Sequence, residues 1–369
     1  MQTTNHRLLA LDIFRGITIA GMILVNNPAN WDYKYAPLQH ASWHGLTPTD
    51  LIFPFFMFIM GISTYISLKK YDFKRSRTVV WKIIKRSLLI FAIGVGTYWA
   101  WYSSIYQKFS SDHVLILGVL QRLAICYGVA ALVAISMKHK HIPWLIAGLL
   151  ISYLCLLLFG SGFEHNESNI LSIVDRAVLS PHVYMDSNGI APEGLLSTIP
   201  GIAHVLIGFC CGKLMMEVKE INEKIERLFI VGTILAFSGF LLSYGCPINK
   251  NIWSPTFVIV TCGLASCFLA LMIWIIDVKE KKRWSRFFEP FGVNPLFLYV
   301  MGALFDILFD NIRLPFGGNS TNLKNFVYGE LFQPLLGDYL GSLAYALLFV
   351  SLVWVVGYVL YKRKIYIKI

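Results

Sequence analysis

Ten apolar stretches, each about as long as a bilayer is thick, constrain this chain more than any other feature. A helix needs roughly 20 apolar residues to cross the hydrocarbon. Candidates lie at 8–27, 49–68, 86–105, 113–136, 142–160, 194–213, 227–245, 254–276, 291–310 and 341–361. No water is present at that depth to satisfy backbone N–H and C=O groups, so such stretches must close their own hydrogen bonds as helices. The expected fold is all-α: a polytopic membrane protein of about ten transmembrane helices, with residues 1–369 forming one domain. The charged fraction is 14%, against roughly 25% in a soluble domain. That excludes a cytosolic enzyme and a disordered scaffold. The first span carries Asp12 and Arg15 inside its apolar run and lacks a small-residue cleavage site, so it reads as a retained span. The seven cysteines lie mostly in apolar stretches and show neither a disulfide framework nor zinc spacing, so no metal site is expected.

The net charge of +11 is explained by where the charges sit. Grouping the N-terminus, every second loop and the C-terminus places 24 of the 32 Lys and Arg residues on one side. By the positive-inside rule that side is cytoplasmic, with both termini on it. The basic runs at 69–77, 138–141, 279–286 and 362–368 then serve topology and the anionic lipid surface, and no nucleic acid is called for. The opposite loops at 28–48, 161–193 and 311–340 are long and aromatic, with Trp31, Tyr33, Tyr35, Trp43 and Tyr184. Long ordered loops on a multi-span scaffold usually cover a site. No internal repeat and no inverted pair of broken helices of the transporter kind is evident.

Ionisable groups at membrane depth cost about 2.5–3.5 kcal/mol each, so each asks for a reason. Asp12 and Arg15 read as an ion pair three residues apart on the first span. Asn26 closes that span, ahead of Asn27 and Pro28. The second span starts at Thr47-Pro48-Thr49-Asp50, where a threonine caps the helix and Asp50 falls in the first turn. Asn26, His40 and Asp50 thus gather at one mouth of the bundle, around one short loop. An amide donor, a base and an orienting carboxylate are the parts of an acyl-transfer site. In the fourth span Arg122 lies about nine residues, ~14 Å, from the exoplasmic edge. It reads either as the partner of a buried acid such as Asp12 or Asp306, or as an anion ligand beside Gln121. At other mouths, Glu193, Lys250 and Trp253 exceed the needs of caps and turns. With Trp43 and Asn249 they read as contacts for a polar, sugar-like acceptor. Asn294 starts the ninth span at the opposite face, as a cap placed where a cytosolic cofactor would enter.

The strings LDIFRGITIAGMILVNN and QHASWHGLTPTDLIFPFFMFIMG, up to Gly61, resemble the catalytic domain of the heparan-alpha-glucosaminide N-acetyltransferase family. LGVLQRLAICY at 117–127, APEGLLSTIPGIAHVLIG at 191–208, PINKNIWSPTF at 247–257, FGVNPLFLYV at 291–300 and the terminal LYKRKIYIKI also fit its bacterial members. The resemblance covers essentially the whole chain, and no large exoplasmic domain precedes the first span. It therefore implies a version in the bacterial inner membrane. It further implies transfer of acetyl from cytosolic acetyl-CoA, as co-substrate, to the amine of a terminal glucosamine across the bilayer. By motif position, the family's active-site histidine falls on His40 and not on His44, its helix-end asparagine on Asn26 and its aspartate on Asp50.

The expected mechanism has His40 as general base or acetyl carrier, Asp50 fixing its tautomer and Asn26 donating to the oxyanion. The donor's phosphates would meet the basic face, with pantetheine threading past Arg122 and Gln121. The rival readings are a transporter or permease for an amino sugar, and an acyltransferase acting on a cell-surface glycan. Partners follow as the amino-sugar or glycan acceptor and membrane lipid, and a homodimer is carried as a candidate assembly.

Overall fold

The computed structural model describes residues 9–106, 114–316 and 319–367. The long helices are α1 (Leu9–Asn26), α2 (Pro48–Lys69), α3 (Arg77–Tyr106), α4 (Val119–Ser136) and α5 (Ile142–Phe159). A short α6 (Ile170–Leu179) precedes α7 (Thr198–Glu217), α8 (Ile221–Leu242) and α9 (Pro255–Ile273). The chain continues with α10 (Glu289–Val293), α11 (Pro295–Asn311), α12 (Leu323–Phe326) and α13 (Gln333–Lys362). Among the described residues, eight helices are long and apolar enough to cross a membrane. The third and ninth predicted spans are helical too, but α3 begins in basic sequence over its 30 residues and α11 has only 17.

Three departures from expectation have clear local reasons. The ninth span is broken at Asn294-Pro295: proline lacks the N–H that would continue α10 into α11, and it opens the new helix instead. The last span begins earlier than expected, at Gln333, and bends at Gly337, whose φ of 73° is open to glycine. The stretch 161–193, expected as loop, contains the ten-residue amphipathic α6, capped by the side chain of Asn169. The stretch after α11 adds a two-stranded antiparallel hairpin that pairs Arg313 with Asn322.

Burial sorts the helices into an inner and an outer set. The apolar windows of α1, α4 and α7 are 67% buried, whereas those of α5 and α8 are 22% buried and keep apolar faces outward. Inside, α2 and α7 cross closely. A Cβ on Gly61 would strike the Val205 carbonyl and one on Gly208 the Phe58 carbonyl, so both positions require the bare backbone. This contact fixes the start of α2 against the loop that enters α7, where the polar residues of one mouth collect.

Candidate active site

The mouth is built from the first turn of α2. Thr47 caps the helix in a capping box with Asp50: the Asp50 N–H donates to Thr47 Oγ1 at 3.4 Å, and the Thr47 N–H to Asp50 Oδ2 at 3.1 Å. Asp50 Oδ2 also accepts from the Ala41 N–H at 3.1 Å and from Thr47 Oγ1 at 2.9 Å. Its other oxygen, Oδ1, lies 2.6 Å from His40 Nδ1. The Asp50 side chain is 1% exposed and that of His40 42% exposed. An enclosed carboxylate is thus placed to accept from Nδ1–H, which leaves the Nε2 edge of a half-open imidazole for chemistry.

The loop before α9 leans over this pair. Gly45, at φ +126°, donates its N–H to the Ile248 carbonyl at 2.8 Å and docks the two loops together. Asn249 shapes the turn, its Oδ1 accepting from the Ile252 N–H at 3.2 Å, and Ser254 caps α9. Between them Lys250 extends so that its Nζ lies 3.0 Å from His40 Nδ1, 3.2 Å from Nε2 and 3.8 Å from Asp50 Oδ1. Burial pushes the Lys250 ammonium below the usual lysine value; Glu193 and Asp50 pull it up and Arg122 pushes it further down.

Arg122 is fully buried, and its surroundings correct the expected ion pair. Asp12 pairs with Arg15 at 3.0 Å and Asp306 with Lys324 at 3.7 Å, so neither serves Arg122. Arg122 donates instead to Ser197 Oγ and, at 3.3 Å, to the Gly194 carbonyl, and its guanidinium lies 5.0 Å from the centre of the Trp253 ring. Its charge braces the loop that carries Glu193 to the loop that carries Lys250. Trp253 is 1% exposed and belongs to this brace. Asp175 of α6, whose carboxyl is raised by burial, accepts from the Leu195 N–H at 2.8 Å and adds negative charge toward Arg122.

A cavity of about 540 Å³ opens at this mouth, a size typical of small-molecule sites. Asn26, His40, Glu193 and Lys250 line it, among the aromatic faces of Trp31, Tyr98, Trp101, Tyr184 and Tyr299. Asn26 ends α1 with its side chain exposed, and Glu193 has no ion pair among the described residues. The other expected contacts lie back from the lining. Asn249 and Trp253 are buried in their loop, and Trp43 is half-buried, its Nε1 donating to the Phe163 carbonyl at 2.8 Å while its ring stacks on His165 at 4.0 Å. Gln121 is enclosed, donating to the Leu115 carbonyl at 3.4 Å.

Sequence reasoning missed a second histidine–aspartate pair, His165 Nε2 with Asp186 Oδ2 at 2.7 Å, which carries Asp186 to the cavity wall. The available signal was the loop's own composition, acids and histidines in an aromatic setting. A second cavity, of about 370 Å³, opens at the opposite end of the bundle, lined by Arg15, Ser63, Arg86, Pro295 and Ile367. Arg86 packs 4.7 Å from the centre of the Tyr127 ring, and its Nε has no hydrogen-bond partner among the described residues. Asn294, expected near an incoming cofactor, is buried there and holds residues 365–367. The two cavities share three helices one turn apart: Gly94 against Ile90, Leu120 against Leu123, and Tyr299 against Leu296.

A model of the catalytic region of heparan-alpha-glucosaminide N-acetyltransferase matches residues 7–244. Two curated relatives carry the name heparan-alpha-glucosaminide N-acetyltransferase. The one from Mus musculus is 28% identical, covering 100% of this chain and 61% of its own length. The one from Homo sapiens is 27% identical, covering 98% of this chain and 60% of its own length. The chain thus spans about 60% of the length of the relatives it matches. On the extent of the family match, the chain belongs to the heparan-alpha-glucosaminide N-acetyltransferase catalytic family.

Proposed function

We propose that this chain is a membrane-embedded N-acetyltransferase that moves acetyl from acetyl-CoA to the amine of a terminal glucosamine or related amino sugar. The observation that carries this reading is His40, held through Nδ1 by the enclosed Asp50 at the wall of an aromatic-lined cavity. Aromatic faces with a few convergent polar groups suit a sugar ring. Glu193, unpaired among the described residues, offers a carboxylate that takes the first proton of an acceptor ammonium and so frees the amine lone pair. His40 Nε2 takes a proton from the amine as it attacks the thioester carbonyl. The C–N bond forms, the C–S bond breaks, and the thiolate leaves with that proton.

The acceptor is assigned to the loop-rich, exoplasmic end and the donor to the basic, cytoplasmic end. In support, the cations lining the second cavity are Arg15 and Arg86, which suit phosphate better than the enclosed Arg122. Only one helical turn of side chains separates that cavity from the first. A carrier for an amino sugar would also use opposed cavities, but it has no need of a base oriented by a buried carboxylate.

The test is acetyl-CoA turnover by purified protein with glucosamine as acceptor. Wild type should form acetylglucosamine, and a folded His40→Ala variant should lose about 10²–10⁴-fold in kcat. Wild type that binds glucosamine but forms no product, and carries it across vesicles, would replace this reading with the carrier.

A further inference from the structure

We propose that Lys250 is a catalytic cation of this site, its ammonium donating to the acetyl carbonyl oxygen as that oxygen becomes an oxyanion. The inference rests on the reading of His40 as base. Its starting point is the position of Nζ, 3.0 Å from one ring nitrogen of His40 and 3.2 Å from the other. A donor in line with one imidazole lone pair lies far from the other nitrogen. Near-equal distances therefore put Nζ over the ring, where it uses neither lone pair. Nδ1 is committed to Asp50, and the Nε2 lone pair stays open in the ring plane.

Lys250 is not needed as a partner for Asp50. That carboxylate already accepts from His40, the Ala41 N–H, the Thr47 N–H and the Thr47 hydroxyl, while Nζ stands off at 3.8 Å from Oδ1. Among the described residues, no oxygen lies within hydrogen-bond distance of Nζ. The side chain is only 17% exposed, yet it lines the cavity. An enclosed ammonium beside the base, with no oxygen to donate to, meets the requirement for a preorganised donor to charge that exists only in the transition state. Its acidity, increased by burial, strengthens such a bond.

The loop is built to keep it there. Asn249 and Ser254 close the turn on either side, and Trp253 is wedged against Arg122. Charges then divide within one cavity: Glu193 for the first proton of the acceptor ammonium, Lys250 for the carbonyl oxygen, and His40 for the second proton, passed from the attacking amine to the thiolate. In this step the amine nitrogen bonds to the carbonyl carbon, the C=O electron pair moves to the oxygen facing Lys250, and it returns as the C–S bond breaks. Lys250 keeps its own proton throughout.

The experiment compares Lys250→Met, Lys250→Arg and His40→Ala with wild type, each shown to be monodisperse with a cooperative thermal transition. Lys250→Met should lower kcat by about 10²-fold or more. The KM values for glucosamine and acetyl-CoA should stay within about threefold. Lys250→Arg, which keeps a cation, should recover about tenfold of that loss. A Lys250→Met enzyme with wild-type kcat, or one impaired through KM alone, overturns the proposal. A His40→Ala enzyme with wild-type rate instead removes the reading of the site on which it rests. If Lys250→Met does not fold, Lys250→Gln carries the same comparison.

Discussion

Asp50 has two oxygens with separate duties: Oδ2 finishes the cap of α2, and Oδ1 holds His40. The two can be told apart by substitution. Thr47→Ala removes part of the cap and should cost about 1 kcal/mol of stability, with kcat within about threefold of wild type. Asp50→Asn presents an amide N–H to His40 or to the cap donors and should lower kcat by about 10²-fold or more. Thermal melts and kcat on the two variants check the separation; equal effects on both would show that Asp50 acts only through the helix end. His40 and Asp50 were legible in the sequence because only nine residues separate them. Arg122, Trp253 and Asn249 were harder, since a polar group at membrane depth reads alike as ligand or as brace, and the difference lies in tertiary contacts. Asp175, His165 and Asp186 left no comparable signature, because the folding of one long loop is what brings them together.

Helices were legible from apolar length, but their interruptions were less so. A span-sized window passes over α6, whose ten residues are amphipathic rather than continuously apolar, and smooths across the break at Asn294-Pro295. Equally hidden was the α2–α7 contact, because a glycine in a sequence does not name the backbone it approaches. That contact sets the distance between the helix bearing Asp50 and the loop bearing Glu193. Gly208→Leu drives a side chain into the Phe58 carbonyl and should cost about 1–3 kcal/mol through overpacking. It should also lower kcat, because α2 must move. Gly148→Ala on α5 meets nothing within 4 Å and serves as control. An unshifted melting temperature in Gly208→Leu would mean the helices yield without strain.

At the scale of the whole molecule, the alternation of charge between successive loops matches a bundle with the His40 cavity at one end and the Arg15–Arg86 cavity at the other. Sidedness can be measured directly. With the natural cysteines replaced, Tyr184→Cys at the mouth of the larger cavity and Lys281→Cys beyond α9 should react with an impermeant maleimide from opposite faces of oriented vesicles. Labelling from one face would undo the assignment of donor and acceptor sides. The tail has its own part in this geometry. Asn294 donates through Nδ2 to the Ile365 carbonyl at 3.0 Å and accepts at Oδ1 from the Ile367 N–H at 2.8 Å, which lays Ile367 along the wall of the smaller cavity. Residues 365–367 are therefore tied to the break between α10 and α11, and one wall of that chamber is as secure as the two hydrogen bonds that Asn294 makes.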